Sequence, residues 1–156
     1  MFRQMRRIAQ QLSPAETEAI LQKGKTGVLA VNGDGGYPYA VPVNYVWKDG
    51  KIYFHGAKAG HKFDAMVRDG KVSFCVIDRD EILPEKLTDA YRSAVVFGRV
   101  RVLESRELTD AAYALGMKYY PVPEAVKTEV EKDLPRLACF EITPDHITGK
   151  QGKELL

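Results

Sequence analysis

Cysteine is scarce in this sequence and long apolar runs are missing. Its 156 residues include two cysteines, Cys75 and Cys139, each inside an apolar, strand-like run (VSFCVI and LACFEI). In such runs a buried, reduced thiol is expected in place of a disulfide or a metal ligand, and with it a cytoplasmic setting. No stretch approaches the roughly 20 apolar residues of a membrane span. The N-terminal MFRQMRRIAQQL carries charge without the apolar centre of a signal peptide, so neither export nor anchoring is expected. An excess of one charge is missing too: 23 Lys and Arg are interspersed with 21 Asp and Glu, for a net +2, which offers nucleic acid no extended basic surface. Arg3, Arg6 and Arg7 read as a frayed, solubilising terminus. Three scattered histidines do not make a metal site, and no Ser-His-Asp or Cys-His grouping points to hydrolysis. With 45% apolar and 28% charged residues the chain is expected to fold as one domain over residues 1–156, with 1–12 as a basic arm and 151–156 as a tail.

What is present is a succession of short β-rich runs. Ser13-Pro14-Ala15-Glu16 is a capping box with proline at the first helical position, so a helix is predicted over 14–22, closed by Gly24 as a left-handed stop. TGVLAV (26–31) ends in the turn-rich Asn32 to Gly36, YPYAVPVNYVW (37–47) returns, and Lys48-Asp49-Gly50 turns it into KIYFH (51–55). These three runs predict an antiparallel meander. HKFDAMVRD places Phe63, Met66 and Val67 on one face of a short helix stopped by Gly70. KVSFCVID (71–78) reads as a strand, RDEILPEKLTDA as a charged loop, and YRSAVVFGRVRVLE (91–104) as a long strand with Gly98 as a bulge. SRELTDAAYALGMKYY and PEAVKTEVEKDL read as helices. RLACFEITP (136–144) is the last strand, and DHITGKQGKELL reads as a tail. Six strands joined mostly by hairpins, with peripheral helices, predict a mainly β fold, a small six-stranded antiparallel barrel; an open sheet with helices on one face is the alternative.

Two stretches could carry chemistry. In FHGAKAGHK (54–62), Gly56, Ala57, Ala59 and Gly60 leave backbone N–H groups accessible. Gly60 and His61 then open a helix whose N-terminus favours anions, and Lys58, His61 and Lys62 add cationic donors. A phosphate cradle is one reading and a plain connector the other. In YPYAVPVNYV, Pro38 and Pro42 share parity, so both missing donors face the same strand edge. That edge is then open either to a planar heterocycle, bonded by the backbone of Val41, Val43 and Asn44 over a floor of apolar side chains, or simply to solvent.

These motifs, in order, with VVFGRVRVL and the late HITGK, make residues 13–150 resemble the FMN-binding split-barrel family related to pyridoxamine 5′-phosphate oxidase, in particular its nitroimidazole-resistance (Nim-type) branch. The resemblance implies a homodimer holding two FMN molecules at the subunit interface, a small-molecule substrate, and no nucleic-acid or membrane partner. By position, Val41, Pro42, Val43, Asn44 and Tyr45 would run beside the flavin ring. His55, Gly56, Ala57 and Lys58 would border the ring and ribityl chain. Gly60, His61 and Lys62 would bind the phosphate, with His61 most effective when protonated. Ser93 and the Thr148-Gly149-Lys150 motif would complete the partner's site. His55 is the candidate catalytic group, facing substrate as a proton donor or an anchor. The sequence departs from the oxidases where they place arginine at the position of His61, and it lacks their C-terminal Arg/Trp signature, so pyridoxamine phosphate oxidation is not expected. The implied function is an FMN-dependent oxidoreductase acting on nitro-aromatic compounds. The alternatives are a flavin- or ligand-binding protein without turnover, and an interaction domain without flavin.

Overall fold

The computed structural model describes residues 1–156. Helix α1, Pro14–Lys23, starts at the predicted cap: the Glu16 amide donates to Ser13 Oγ at 3.2 Å and the Ser13 amide donates to the Glu16 carboxylate at 2.9 Å. Two of the free amides at this helix start are thereby satisfied. Gly24 is extended, with φ −60°, and not left-handed. Glycine is needed there for space, because a Cβ would overlap the Tyr45 hydroxyl.

Seven strands form one antiparallel sheet: β1 Thr26–Asn32, β2 Pro38–Asn44, β3 Val46–Lys48, β4 Lys51–Ala57, β5 Lys71–Leu83, β6 Thr88–Val102 and β7 Leu137–Gln151. Their order is β2-β1-β5-β6-β7-β4-β3. The run 37–47, expected as one strand, breaks at Tyr45. Upstream of it β2 pairs with β1; downstream, β3 pairs with β4. The predicted three-strand meander is therefore two hairpins that meet at one residue. Because β2 and β3 are the two ends of the sheet and only Tyr45 separates them, the sheet must curl until its ends meet. The result is a split barrel in place of the open alternative, with seven strands instead of six.

The break is held by groups outside the sheet. Tyr45 is fully buried, packs edge-on against Phe74 at 5.0 Å, and its hydroxyl donates to the Leu21 carbonyl at 2.6 Å. The Tyr45 amide donates to the Tyr119 hydroxyl at 3.0 Å, and its carbonyl accepts from the Lys118 ammonium at 2.7 Å. Two side chains at the end of one helix thus replace the ladder bonds lost at the break.

Residues 79–92 also depart from expectation. Arg79–Leu83 pairs with Thr88–Arg92, so the predicted charged loop is the outer half of the β5–β6 hairpin, turning at Pro84–Lys86. Its charges are tolerated because this arm stands mostly in solvent, where neither face needs to be apolar. β7 continues through DHITGKQ, expected as tail, and pairs Lys150 with Ser93. The register shifts opposite Gly98, but the extra residue is Asp145 on β7, so the bulge is on β7 and not at Gly98 as predicted; Gly98 is instead needed for space, because a Cβ there would overlap the Thr143 carbonyl oxygen. The N-terminus is not frayed: Phe2 stacks on His146 at 4.5 Å, Leu12 is buried, and Gln11 bridges to Lys150. Phe2 remains partly exposed in its stack, so the burial that fixes the arm comes from Leu12.

Leu29, Ile52, Phe54, Phe74, Val96 and Phe140 fill the barrel, with Ile20 and Leu21 of α1 packed against them. Helix α2, His61–Arg68, follows β4. Helices α3, Ser105–Tyr119, and α4, Pro123–Asp133, lie outside the barrel, where Ala111, Ala112 and Leu115 cover Cys139. No helix is long and apolar enough to cross a membrane. Replacing Tyr45 with Phe is expected to lower stability by about 1 to 3 kcal/mol, since the Leu21 carbonyl would be left buried without its donor. Urea denaturation with an unchanged m-value is the check.

Candidate functional site

β4 ends at Ala57, and residues 58–60 lead into α2 through Gly60, whose φ of 118° is readily taken by glycine alone. No side chain caps α2, so the amides of its first turn are free to meet an anion. The Lys62 ammonium lies over Gly56, where a Cβ would approach Nζ to 3.3 Å. Small residues, an uncapped helix start and a cation therefore share one corner.

His61 sits at the same corner in a defined orientation. Its ring stacks on Tyr39 at 4.4 Å, and its Nε2 accepts the Asp34 amide at 3.0 Å. An accepting Nε2 carries no proton, so Nδ1 is the nitrogen left to donate. Arg68 donates to the Asn32 carbonyl at 2.9 Å, and Asn32 donates to Asp69 at 2.7 Å; together they tie α2 to the β1–β2 turn. Lys58 is directed elsewhere, onto the Pro135 carbonyl at 3.0 Å.

β2 pairs only with β1, which leaves its other edge open, as Pro38 and Pro42 require. The expected floor of valine side chains is not there. Val41 and Val43 lie opposite Leu29 and Gly27 and pack on the barrel core, whereas Pro42 and Asn44 face outward. Strand alternation decides this, because residues sharing parity with buried Leu29 must point inward. Tyr45 is buried with its polar atoms engaged; it supports Asn44 and presents no surface of its own.

His55 lies on the outward side of β4, opposite Cys139. A cleft of about 550 Å³ opens beside it, bounded by Asn44 and His55 on the sheet and by faces of α3 and α4. Burial, and secondarily the Lys62 cation, hold the His55 pKa below its ordinary 6.5, while Asp133 opposes them. At neutral pH the ring is therefore uncharged and acts as a hydrogen-bonding group. Beside it on the same face of the sheet, under α3, burial pushes the Cys139 thiol up to about 12, which removes it as a nucleophile.

Ser93 and Lys150 are cross-strand neighbours, but far from this corner. Lys150 is eleven positions along β7 from Cys139, which pairs with His55; that is roughly 36 Å of extended strand. One chain does not bring them to His55. Both belong to an outward sheet face that also carries Val28, Cys75, Val95 and the exposed Ile77 and Phe97.

The helix side of the cleft was missed from sequence. Glu129 and Asp133 line it, and in PEAVKTEVEKDL they look like ordinary solvated charges. The available signal was their i, i+4 spacing, which puts both carboxylates on one face of α4.

Residues 13–151 match the profile of a family described as pyridoxamine 5′-phosphate oxidase. Among solved structures, a conserved hypothetical protein of Mycobacterium tuberculosis aligns with TM-score 0.83 and 23% identity, over 97% of this chain and 92% of its own. A FAD and heme binding protein of Mycobacterium smegmatis aligns with TM-score 0.77 and 19% identity, over 92% of this chain and 74% of its own. A Bacteroides thetaiotaomicron protein provisionally described as a 5-nitroimidazole antibiotic resistance protein aligns with TM-score 0.71 and 20% identity, over 90% and 86%. At these identities the likeness establishes the fold. No functionally curated protein matches the chain.

Burial lowers the His55 titration first, and the charges around it adjust it further. By NMR its midpoint is expected below 6.5. Lys62→Ala should raise that midpoint by removing a repelling cation, and Asp133→Asn should lower it by removing an attracting anion.

Proposed function

The chain belongs to the pyridoxamine 5′-phosphate oxidase family, and on that premise we propose that it binds FMN where β4 meets α2 and exchanges electrons with small aromatic compounds, nitro-aromatics foremost. The observation that carries this reading is the corner itself: an uncapped helix start, with Lys62 folded over Gly56, beside the β2 edge that two prolines keep open. The FAD-binding description of one structural neighbour and the nitroimidazole-resistance description of another support the flavin and the substrate class. A terminal phosphate monoester carries up to two negative charges, which suits a free helix start with the Lys62 cation and a donating His61 Nδ1. This favours FMN over a dinucleotide, whose bridging phosphates carry one charge each.

The residues divide the work. The first-turn amides of α2 and Lys62 hold the phosphate, and His61 donates from Nδ1. Gly56 and Ala57 let the ribityl chain pass close to the backbone, while Pro42 and Asn44 offer the ring a rigid edge. Neutral His55 hydrogen-bonds on the substrate side, as a donor from one nitrogen or an acceptor at the other. Bound flavin supplies the redox chemistry that no side chain here provides.

The site is completed in a homodimer of single-domain chains, by Ser93 and Lys150 of the second copy. Their distance from the corner within one chain supports this, as does the apolar outward face around Val95 and Phe97. The two unpaired cysteines suit the reducing cytoplasm.

Replacing His61 and Lys62 together with alanine is expected to weaken FMN binding by about 2 to 4 kcal/mol, the cost of losing charge-assisted contacts. Quenching of flavin fluorescence on titration reads this directly, and wild-type affinity in the double variant would remove the phosphate assignment. For turnover, bound FMN bleached with NADH under anaerobic conditions should regain its yellow colour when a nitroimidazole is added. A flavin that is never reoxidised by such compounds would reduce the protein to a flavin binder.

A further inference from the structure

The cleft beside His55 has the opposite chemistry from the phosphate corner. We propose that the space between α3 and α4 is the substrate site of this flavoprotein and that it selects flat, apolar molecules carrying a positive charge. The proposal rests on the FMN reading above and adds the substrate's electrostatic class to it.

At about 550 Å³ the cleft has room for a molecule of two or three fused rings. Its walls are apolar, with Ala112 and Leu115 from α3 facing Val126 and Val130 from α4. Glu129 and Asp133, one helical turn apart, supply its only formal charges at neutral pH, and no lysine or arginine lines it. In a chain with 23 basic and 21 acidic residues that one-sidedness is a local property of the site. Glu129 takes part in no ion pair. Asp133 is paired with Arg136 at 3.1 Å through Oδ1, but that guanidinium is 76% exposed and lies outside the lining, so water screens it. Tyr120 adds an exposed aromatic ring, whose face attracts cations, whereas the Tyr119 ring already carries the Lys118 ammonium at 5.2 Å.

His55 stands between the two fields. Lys62 acts on it from the corner side and Asp133 from the cleft side, with opposite signs. An anionic cofactor end and a cationic substrate would thus be drawn to different sides of the same residue. A substrate bearing phosphate would be repelled by both carboxylates, which also accounts for the chain lacking any counter-ion there for a phosphorylated amine.

Calorimetric titration of the purified full-length protein with three acridines of one ring system isolates the charge term. These are 9-aminoacridine as the cation, acridine as the neutral form, and acridine-9-carboxylate as the anion. The expected order is cation tightest, with about a tenfold or larger margin over the anion. In Glu129→Gln/Asp133→Asn that margin should shrink to about twofold, and Ala125→Trp, which fills the mouth from an exposed position on α4, should weaken all three about tenfold or more. Equal binding of the three acridines to wild type, a margin that survives the double substitution, or 9-aminoacridine affinity untouched by Ala125→Trp would each overturn the proposal. FMN uptake is measured separately on the same samples. Wild type that takes up no FMN yet keeps the acridine order would defeat the flavin reading alone; FMN uptake without that order would defeat the cation site alone.

Discussion

The structure depends on a backbone interruption that is stabilised from outside the sheet. At Tyr45 the strand changes partners, and its amide and carbonyl would lie unpaired in a buried place without the Tyr119 hydroxyl and the Lys118 ammonium. An unpaired buried backbone group costs as much as a lost hydrogen bond or more, so the barrel can close here only because the end of α3 is present. The clasp also serves the site. Tyr119 lines the cleft, and Asn44, immediately before the break, forms part of its sheet side. Barrel closure and cleft shape are therefore set by the same few contacts.

The second constraint is electrostatic and runs through His55. A ring that is partly desolvated and faces a lysine stays neutral at physiological pH, and a neutral imidazole can give or accept a hydrogen bond without adding charge to the site. The neighbour of this ring on β7, Cys139, lies on the same face but stays a protonated thiol at neutral pH because it is buried under α3, which leaves His55 as the polar group here.

Features governed by local geometry were readable in the sequence. The Ser13 to Glu16 cap, the start of α2 and the open edge demanded by Pro38 and Pro42 follow from backbone rules acting over a few residues. The break at Tyr45 was hidden because alternation runs unchanged through YAVPVNYVW, and period two does not reveal which neighbour a strand pairs with. Residues 79–92 were masked by their charges, since a hairpin arm in solvent has no need of an apolar face. Which apolar side chains of β2 would floor its open edge is not readable, because parity alone does not say which set faces the core; pairing of Val41 with buried Leu29 decides it. The cleft was out of reach, because Glu129 and Asp133 gain meaning only when α4 is folded against α3 and so brought beside His55.

Most of the account rests on a flavin phosphate held at the start of α2. The most direct measurement is the absorption spectrum of the purified protein, followed by release of any chromophore and determination of its mass. The prediction is a yellow protein that yields flavin mononucleotide at one molecule per chain. A colourless protein that takes up no FMN after incubation with an excess would contradict it.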